Sequence, residues 1–171
     1  PLLYPYLKKN LKKVINNMIL YNLALSDSNG QSELKLPIRS KSIFKDNIEE
    51  LFKLGAATMH PTNTIENFKK VIIKMKKLDD IEINNKIGFI KIDVEGHEKN
   101  VLKGGLNTIK NNKPILLIEI EEKHSKVPIE DTINFMKKYD YNPYVYINKK
   151  LIDFDLRDKK QKEINYIFIH R

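Results

Sequence analysis

The sequence predicts an α/β fold in which strands and helices alternate and the chain closes on antiparallel strands. Three observations carry this. Residues 89–94 (FIKIDV) are a short β-branched run, and beyond Gly96 the apolar spacing changes to Leu102, Leu106 and Ile109, the rhythm of a helix resting one face on a sheet. Behind Pro114, residues 115–120 are almost unbroken apolar and run into Glu119, Glu121 and Glu122, a second strand ending in acids. Three further short runs, 144–147, 151–154 and 164–169, finish the chain, the first two joined across Asn148-Lys149-Lys150. A strand that turns at a glycine into a helix is half of a βαβ unit, and in open α/β sheets the ligand crevice lies beyond the carboxyl ends of the strands.

From the start of the chain, Leu3, Leu7, Leu11, Val14, Ile15 and Met18 stand at helical spacing with lysines opposite, which predicts an amphipathic helix over 4–18 packed on a sheet. Residues 19–25 read as a strand. Asn29-Gly30 is the strongest two-residue hairpin signal present and predicts that 31–36 return as its second arm. Phe44, Ile48, Leu51 and Phe52 predict a helix over 42–54 that Gly55 ends. Residues 68–77 fit either period: Val71, Ile73 and Met75 alternate, while Phe68, Ile72 and Met75 suit a helix face. Pro128 opens a helix over 128–139 with Ile129, Ile133 and Met136 inward.

Composition bounds the function. The 171 residues are 41% hydrophobic, enough for a buried core in one domain spanning 1–171. There is no cysteine, which excludes disulfides, thiolate metal sites and a cysteine nucleophile and is compatible with a reducing, cytoplasmic setting. No apolar run reaches the length of a bilayer span. The 31 Lys and Arg against 22 Asp and Glu give a net charge of +9, but the lysines are scattered among Asn and Ile, as an AT-rich genome produces, and no nucleic-acid partner is expected.

Chemistry concentrates at the end of the 89–94 strand. Lys91, Asp93 and Glu95 fall on one face by alternation, and three charges on a parallel strand need a reason. Either they form an ion pair with solvated carboxylates, or Asp93, Glu95 and His97 face a polar cleft where they bind a cofactor or move a proton. Two carboxylates and an imidazole are also the ligand types of a magnesium or manganese site.

The block FIKIDVEGHEKNVLKGG, followed from Lys113 by KPILLIEIEEKH, resembles the FkbM-type methyltransferases, which use S-adenosylmethionine on a Rossmann-like fold. NLALSDSNG from Asn22, GAAT from Gly55, LDDI from Leu78 and the aromatic turn YDYNPYVY fall in the family's order, so the resemblance covers nearly the whole chain. It favours a strand for 68–77. It implies a class I methyltransferase fold with antiparallel C-terminal strands, incomplete at the N-terminus. The six glycines, at 30, 55, 88, 96, 104 and 105, make no G-x-G-x-x-G or acidic-glycine loop, and residues 1–13 match the helix after the family's second strand. The first two strands are thus expected to be absent, and such a fragment is expected to be poorly stable or self-associating and not to turn over.

The resemblance also implies roles. Ala24, Leu25, Ser26 and Asp27 match the end of the third strand beside the adenine, with Asp27 accepting from the exocyclic amine and the amides of Leu25 and Ser26 nearby; alternatively Ser26 and Asp27 are ordinary turn residues before Asn-Gly. Asp93 matches the end of the fourth strand, next to the methyl donor. Glu95 or His97 is the candidate base, unless His97 is a first-turn helix residue held by Glu98 or water. His60 and Glu119 line the acceptor side, His60 being otherwise a loop residue before Pro61. No metal is implied, and His124 and His170 are surface residues. The implied activity is methylation of a hydroxyl on a sugar, glycan or secondary metabolite; a non-catalytic remnant of the fold is the alternative, and an RNA-modifying enzyme rests only on charge.

Overall fold

A computed structural model describes residues 1, 4–37, 59, 68–122, 128–155 and 164–171. Along the chain run α1 (Tyr4–Leu11), β1 (Ala24–Leu25), β2 (Gly30–Pro37), β3 (Phe68–Lys76), a 3-10 turn (Leu78–Asp80), β4 (Phe89–Ile92), α2 (Glu98–Gly104), α3 (Leu106–Asn112), β5 (Ile115–Glu119), α4 (Ile129–Lys137), β6 (Tyr141–Ile147), β7 (Lys150–Asp153) and β8 (Asn165–His170). The expected helix over 42–54, Gly55, His60 and His124 lie outside the described residues.

The larger sheet has the order β4-β5-β8-β6-β7. β4 and β5 are parallel, with Phe89 opposite Ile115 and Ile92 opposite Ile118, as expected of two acid-tipped strands joined through helices. β8 is antiparallel to both β5 and β6, which closes the sheet on antiparallel strands. The β6–β7 hairpin turns on Asn148 and Lys149, both at positive φ (51° and 64°), the geometry whose twist suits a two-residue loop. The core follows from alternation: Leu116 and Ile118 of β5, Phe168 of β8 and Val145 of β6 are fully buried with Leu102, Ile109, Ile133 and Met136 of α2, α3 and α4. Each such side chain contributes about 1.5–3 kcal/mol on burial. Tyr141 joins them by donating its hydroxyl to the carbonyl of Pro114 at 3.0 Å, which satisfies a phenol whose burial pushes its pKa up to about 12.

The smaller sheet corrects the expected hairpin at Asn29-Gly30. Its order is β1-β3-β2, so β3 lies between the two arms, parallel to β1 and antiparallel to β2, with Met75 opposite both Ala24 and Gly30. Asn29 serves the far end of β3 instead. Its Oδ1 accepts from the amide of Lys77 at 2.9 Å, and its Nδ2 donates to Asp80 at 2.6 Å. Residues 68–76 are a strand, and eight registered pairs with β2 explain why the ambiguous period resolves that way.

Other boundaries differ from expectation. α1 stops at Leu11 and buries none of its residues, and Val14 of the predicted apolar stripe is 80% exposed while Leu11 and Met18 are half-buried. The strand expected over 19–25 shrinks to Ala24 and Leu25. β4 ends at Ile92, since Glu95 takes a positive φ of 50° that breaks alternation, so Glu95 does not share the face of Lys91. The helix after Gly96 is two helices that meet at Gly105, and α4 covers 129–137 rather than 128–139. His170 is half-buried, its ring edge-on to Tyr141 at 5.4 Å, and is not a surface histidine.

The two sheets are joined by α2, α3 and the 3-10 turn. Asp79 accepts from the amides of Asn107 and Thr108 at 3.0 and 2.8 Å, capping α3 from a distant segment. Asp79→Ala is expected to lower stability by about 1–2 kcal/mol in chemical denaturation, with Asp79→Asn intermediate. At the other contact, a Cβ on Gly104 would stand 1.9 Å from the carbonyl oxygen of Ser26. The obstructing oxygen is backbone and cannot swing aside, so Gly104→Ala is expected to cost about 3 kcal/mol or more, read as a loss of the cooperative melt or a large fall in its midpoint.

Candidate functional site

The turn that follows β4 builds the site. Asp93 continues the strand direction. Glu95 and Gly96, at φ 50° and 96°, then reverse the chain into α2. An L-residue held in that conformation costs about 1–2 kcal/mol, and such strain persists where the surroundings over-determine it. Glu98 supplies part of that determination by accepting from the amide of Gly96 at 2.8 Å. Its carboxyl is buried at 5% exposure, and this burial pushes its pKa above the ordinary 4.5, with Asp93 adding repulsion and the amide donors opposing.

Two hollows meet at Asp93. One is a cleft of about 340 Å³ between the sheets, walled by Ala24, Leu25, Leu34, Leu78, Ile90, Ile92, Val101 and Ile109, with Lys91 and Asp93 at its edge. The other is a shallow acidic recess formed by Asp93, Glu95, Gly96, Glu98, Glu119 and Glu121 at the carboxyl ends of β4 and β5. The structure thus gathers the expected Ala24, Leu25 and Asp93 on one cleft, and the expected Glu95 and Glu119 with Asp93 in the recess. Lys91 donates to Asp93 at 2.7 Å, which raises the pKa of the amine, as the ion-pair reading anticipates. Both partners are substantially exposed, so the pair orients Asp93 more than it stabilises the fold. Among the described residues no group of three or more acids and histidines is placed to hold a metal ion.

Ser26 and His97 come together although 71 residues separate them, with Ser26 Oγ 2.9 Å from His97 Nε2. Glu98 Oε1, for its part, accepts from the amide of Gly96. The Ser26 amide donates to the carbonyl of Lys76 at 3.1 Å. Asp27 accepts from Ser26 Oγ at 3.3 Å. Sequence reasoning missed Leu34, Leu78 and Ile109 as cleft walls; each looks like an ordinary core residue of its own element, and only packing aims them at one space.

The chain is thus a mixed α/β protein with a cleft between its two sheets and a shallow recess at the carboxyl ends of the parallel pair β4 and β5. The chain belongs to the methyltransferase FkbM domain family, whose model matches residues 3–143. It is similar to a crystal structure of methyltransferase FkbM from Methylobacillus flagellatus KT, at 25% identity and a TM-score of 0.40, over 58% of this chain and 24% of that one. No curated protein matches it. Among the described residues no helix is long and apolar enough to cross a membrane.

The raised pKa of Glu98 has a pH signature. The folded state holds the proton more tightly, so this group's contribution to stability is complete below about pH 4.5 and is lost as pH rises through the higher folded value. Glu98→Gln keeps an acceptor for Gly96 without the charge. It is expected to match the parent at pH 4 and exceed it at pH 7 in denaturant melts.

Proposed function

We propose that the chain forms the strand-end part of an S-adenosylmethionine-dependent O-methyltransferase acting on a hydroxyl of a sugar, glycan or secondary metabolite. The observation that carries this is the position of Asp93 between an apolar cleft and an acidic recess, in a chain of the FkbM family. The residues present fit one side of the cofactor. Ala24 and Leu25 offer apolar contact to a flat purine, Asp27 a carboxylate for an exocyclic amine, and Asp93 a carboxylate at the reacting end. When bound, the cofactor supplies an electrophilic methyl group on a sulfonium centre.

The chain's own groups then have separable tasks. Asp93, oriented by Lys91, contributes negative charge where a cation is to be held. His97 or Glu95 takes the proton of the attacking hydroxyl, and Glu119 holds the acceptor from β5. Positioning the acceptor within about 3–3.5 Å of the methyl carbon accounts for much of the rate in such displacements.

We also propose that the Rossmann-like sheet is completed by two further strands. β4 pairs only with β5 and β1 only with β3 among the described residues, and both open edges line the cleft. Phe89 at 57% exposure and the apolar walls along β4 are surfaces that a sheet neighbour covers.

Calorimetric titration of S-adenosylmethionine tests both proposals, using these 171 residues, the chain extended upstream, and the extended chain carrying Asp93→Ala. Binding by the extended form alone is expected, weakened at least tenfold, about 1.4 kcal/mol, by Asp93→Ala. Absence of binding by the extended form overturns the cofactor assignment, and equal binding by the short form overturns the need for added strands.

A further inference from the structure

The large sheet has two edges, and β7 forms the one away from the cleft. It lies last in the order β4-β5-β8-β6-β7 and among the described residues pairs only with β6. All four of its residues are exposed, and Leu151 at 46%, Ile152 at 39% and the neighbouring Tyr146 at 62% leave apolar surface along it. Edge strands are commonly blunted by a proline or a bulge. β7 has neither, and its register with β6 runs uninterrupted from Ile147 opposite Lys150 to Tyr144 opposite Asp153.

The backbone groups that β7 offers follow from the ladder. In an antiparallel pair, hydrogen-bonded and non-bonded positions alternate. The amide of Phe154 donates to the carbonyl of Pro143 at 3.0 Å, so the next bonded pairs are Val145 with Ile152 and Ile147 with Lys150. The N–H and C=O groups of Leu151 and Asp153 therefore point away from β6, toward the open side.

A second copy of the same strand matches that pattern. A twofold axis normal to the sheet sets two β7 strands antiparallel, and it must pass beside a residue whose backbone points outward. Centred on Asp153, the seam opposes two carboxylates and sets Leu151 against Asp155 of the second copy. Centred on Leu151, it lets the two Leu151 residues exchange N–H···O=C bonds and sets Lys149 of each copy opposite Asp153 of the other. Charge decides for Leu151. In that register the side chains of Leu151 and Tyr146, opposite one another and so on one face of each sheet, join their counterparts in a continuous apolar patch. On the other face Ile152 lies against the stem of Lys150 from the second copy.

We propose that β7 is a docking edge for a second copy of this chain, through a Leu151-centred antiparallel seam that joins the two large sheets into one. A four-residue strand is only about 13 Å long, so the seam belongs with the small interfaces that associate transiently. The inference does not rest on the methyltransferase reading, and strands added at β4 leave the β7 edge as it is.

The test uses the absence of cysteine. In a bonded antiparallel pair, facing Cα atoms stand about 5.5 Å apart, within disulfide reach, whereas the two Ile152 residues are two positions out of register and more than about 7 Å apart. In the chain extended upstream, Leu151→Cys is expected to cross-link into covalent dimers at least about tenfold faster than Ile152→Cys under mild oxidation. Sedimentation of the parent is expected to show a mass that rises reversibly with concentration to that of two chains. Asp153→Lys, which sets lysine against Lys149, is expected to weaken this association about tenfold, and adding Lys149→Asp is expected to restore it. Aspartate suits position 149, whose φ is 64°. Equal cross-linking at the two positions, a parent that stays monomeric, or a dimer that Asp153→Lys leaves intact overturns the proposal.

Discussion

The close passage of Gly104 beside Ser26 is the constraint on which the rest of the molecule depends. A helix can approach a neighbouring backbone this closely only where a side chain is missing, and here a Cβ would overlap a carbonyl oxygen. With α2 pressed against the residue after β1, the small sheet is fixed relative to the large one. The cleft between them, the Ser26–His97 bond and the position of Asp93 at the rim follow from that docking. Asp79 secures the same junction from the other side by capping α3.

This arrangement separates stability from chemistry. The large sheet and the helices packed on it hold the fully buried apolar side chains, and β6 carries the phenol of Tyr141 into the interior with its one polar atom satisfied. Carboxylates gather at the carboxyl ends of β4 and β5, where Asp93, Glu95, Glu98, Glu119 and Glu121 line one recess. Burying a carboxyl there is unfavourable, as the upward shift of the Glu98 pKa records, chiefly through desolvation with a smaller repulsion from Asp93. A fold that only needed stability would not keep it, and the positive φ of Glu95 in the same turn is a second local cost at the same place.

Much of this was legible along the chain. The β-branched run before Asp93, the unbroken apolar run before Glu119 and the helical spacing of Ile129, Ile133 and Met136 each report a local burial pattern, and the structure has a strand or helix at each. The hairpin at Asn29-Gly30 misled because the same side chain that favours a tight turn also makes good distant hydrogen bonds. Asn29 uses them on Lys77 and Asp80. The length of α1 misled because apolar spacing reports a face available for burial and not the presence of something to bury it.

The sequence by itself determined the element types, the family, and the concentration of carboxylates and one histidine at a strand end, because each depends on residues near one another in the chain. Only the tertiary structure decided that β3 separates β1 from β2, that the LDD segment caps a helix, and that Ser26 meets His97 across 71 positions. Those are contacts between segments whose local patterns are satisfied in many arrangements. Choosing one of them takes the packing of α2 against the small sheet.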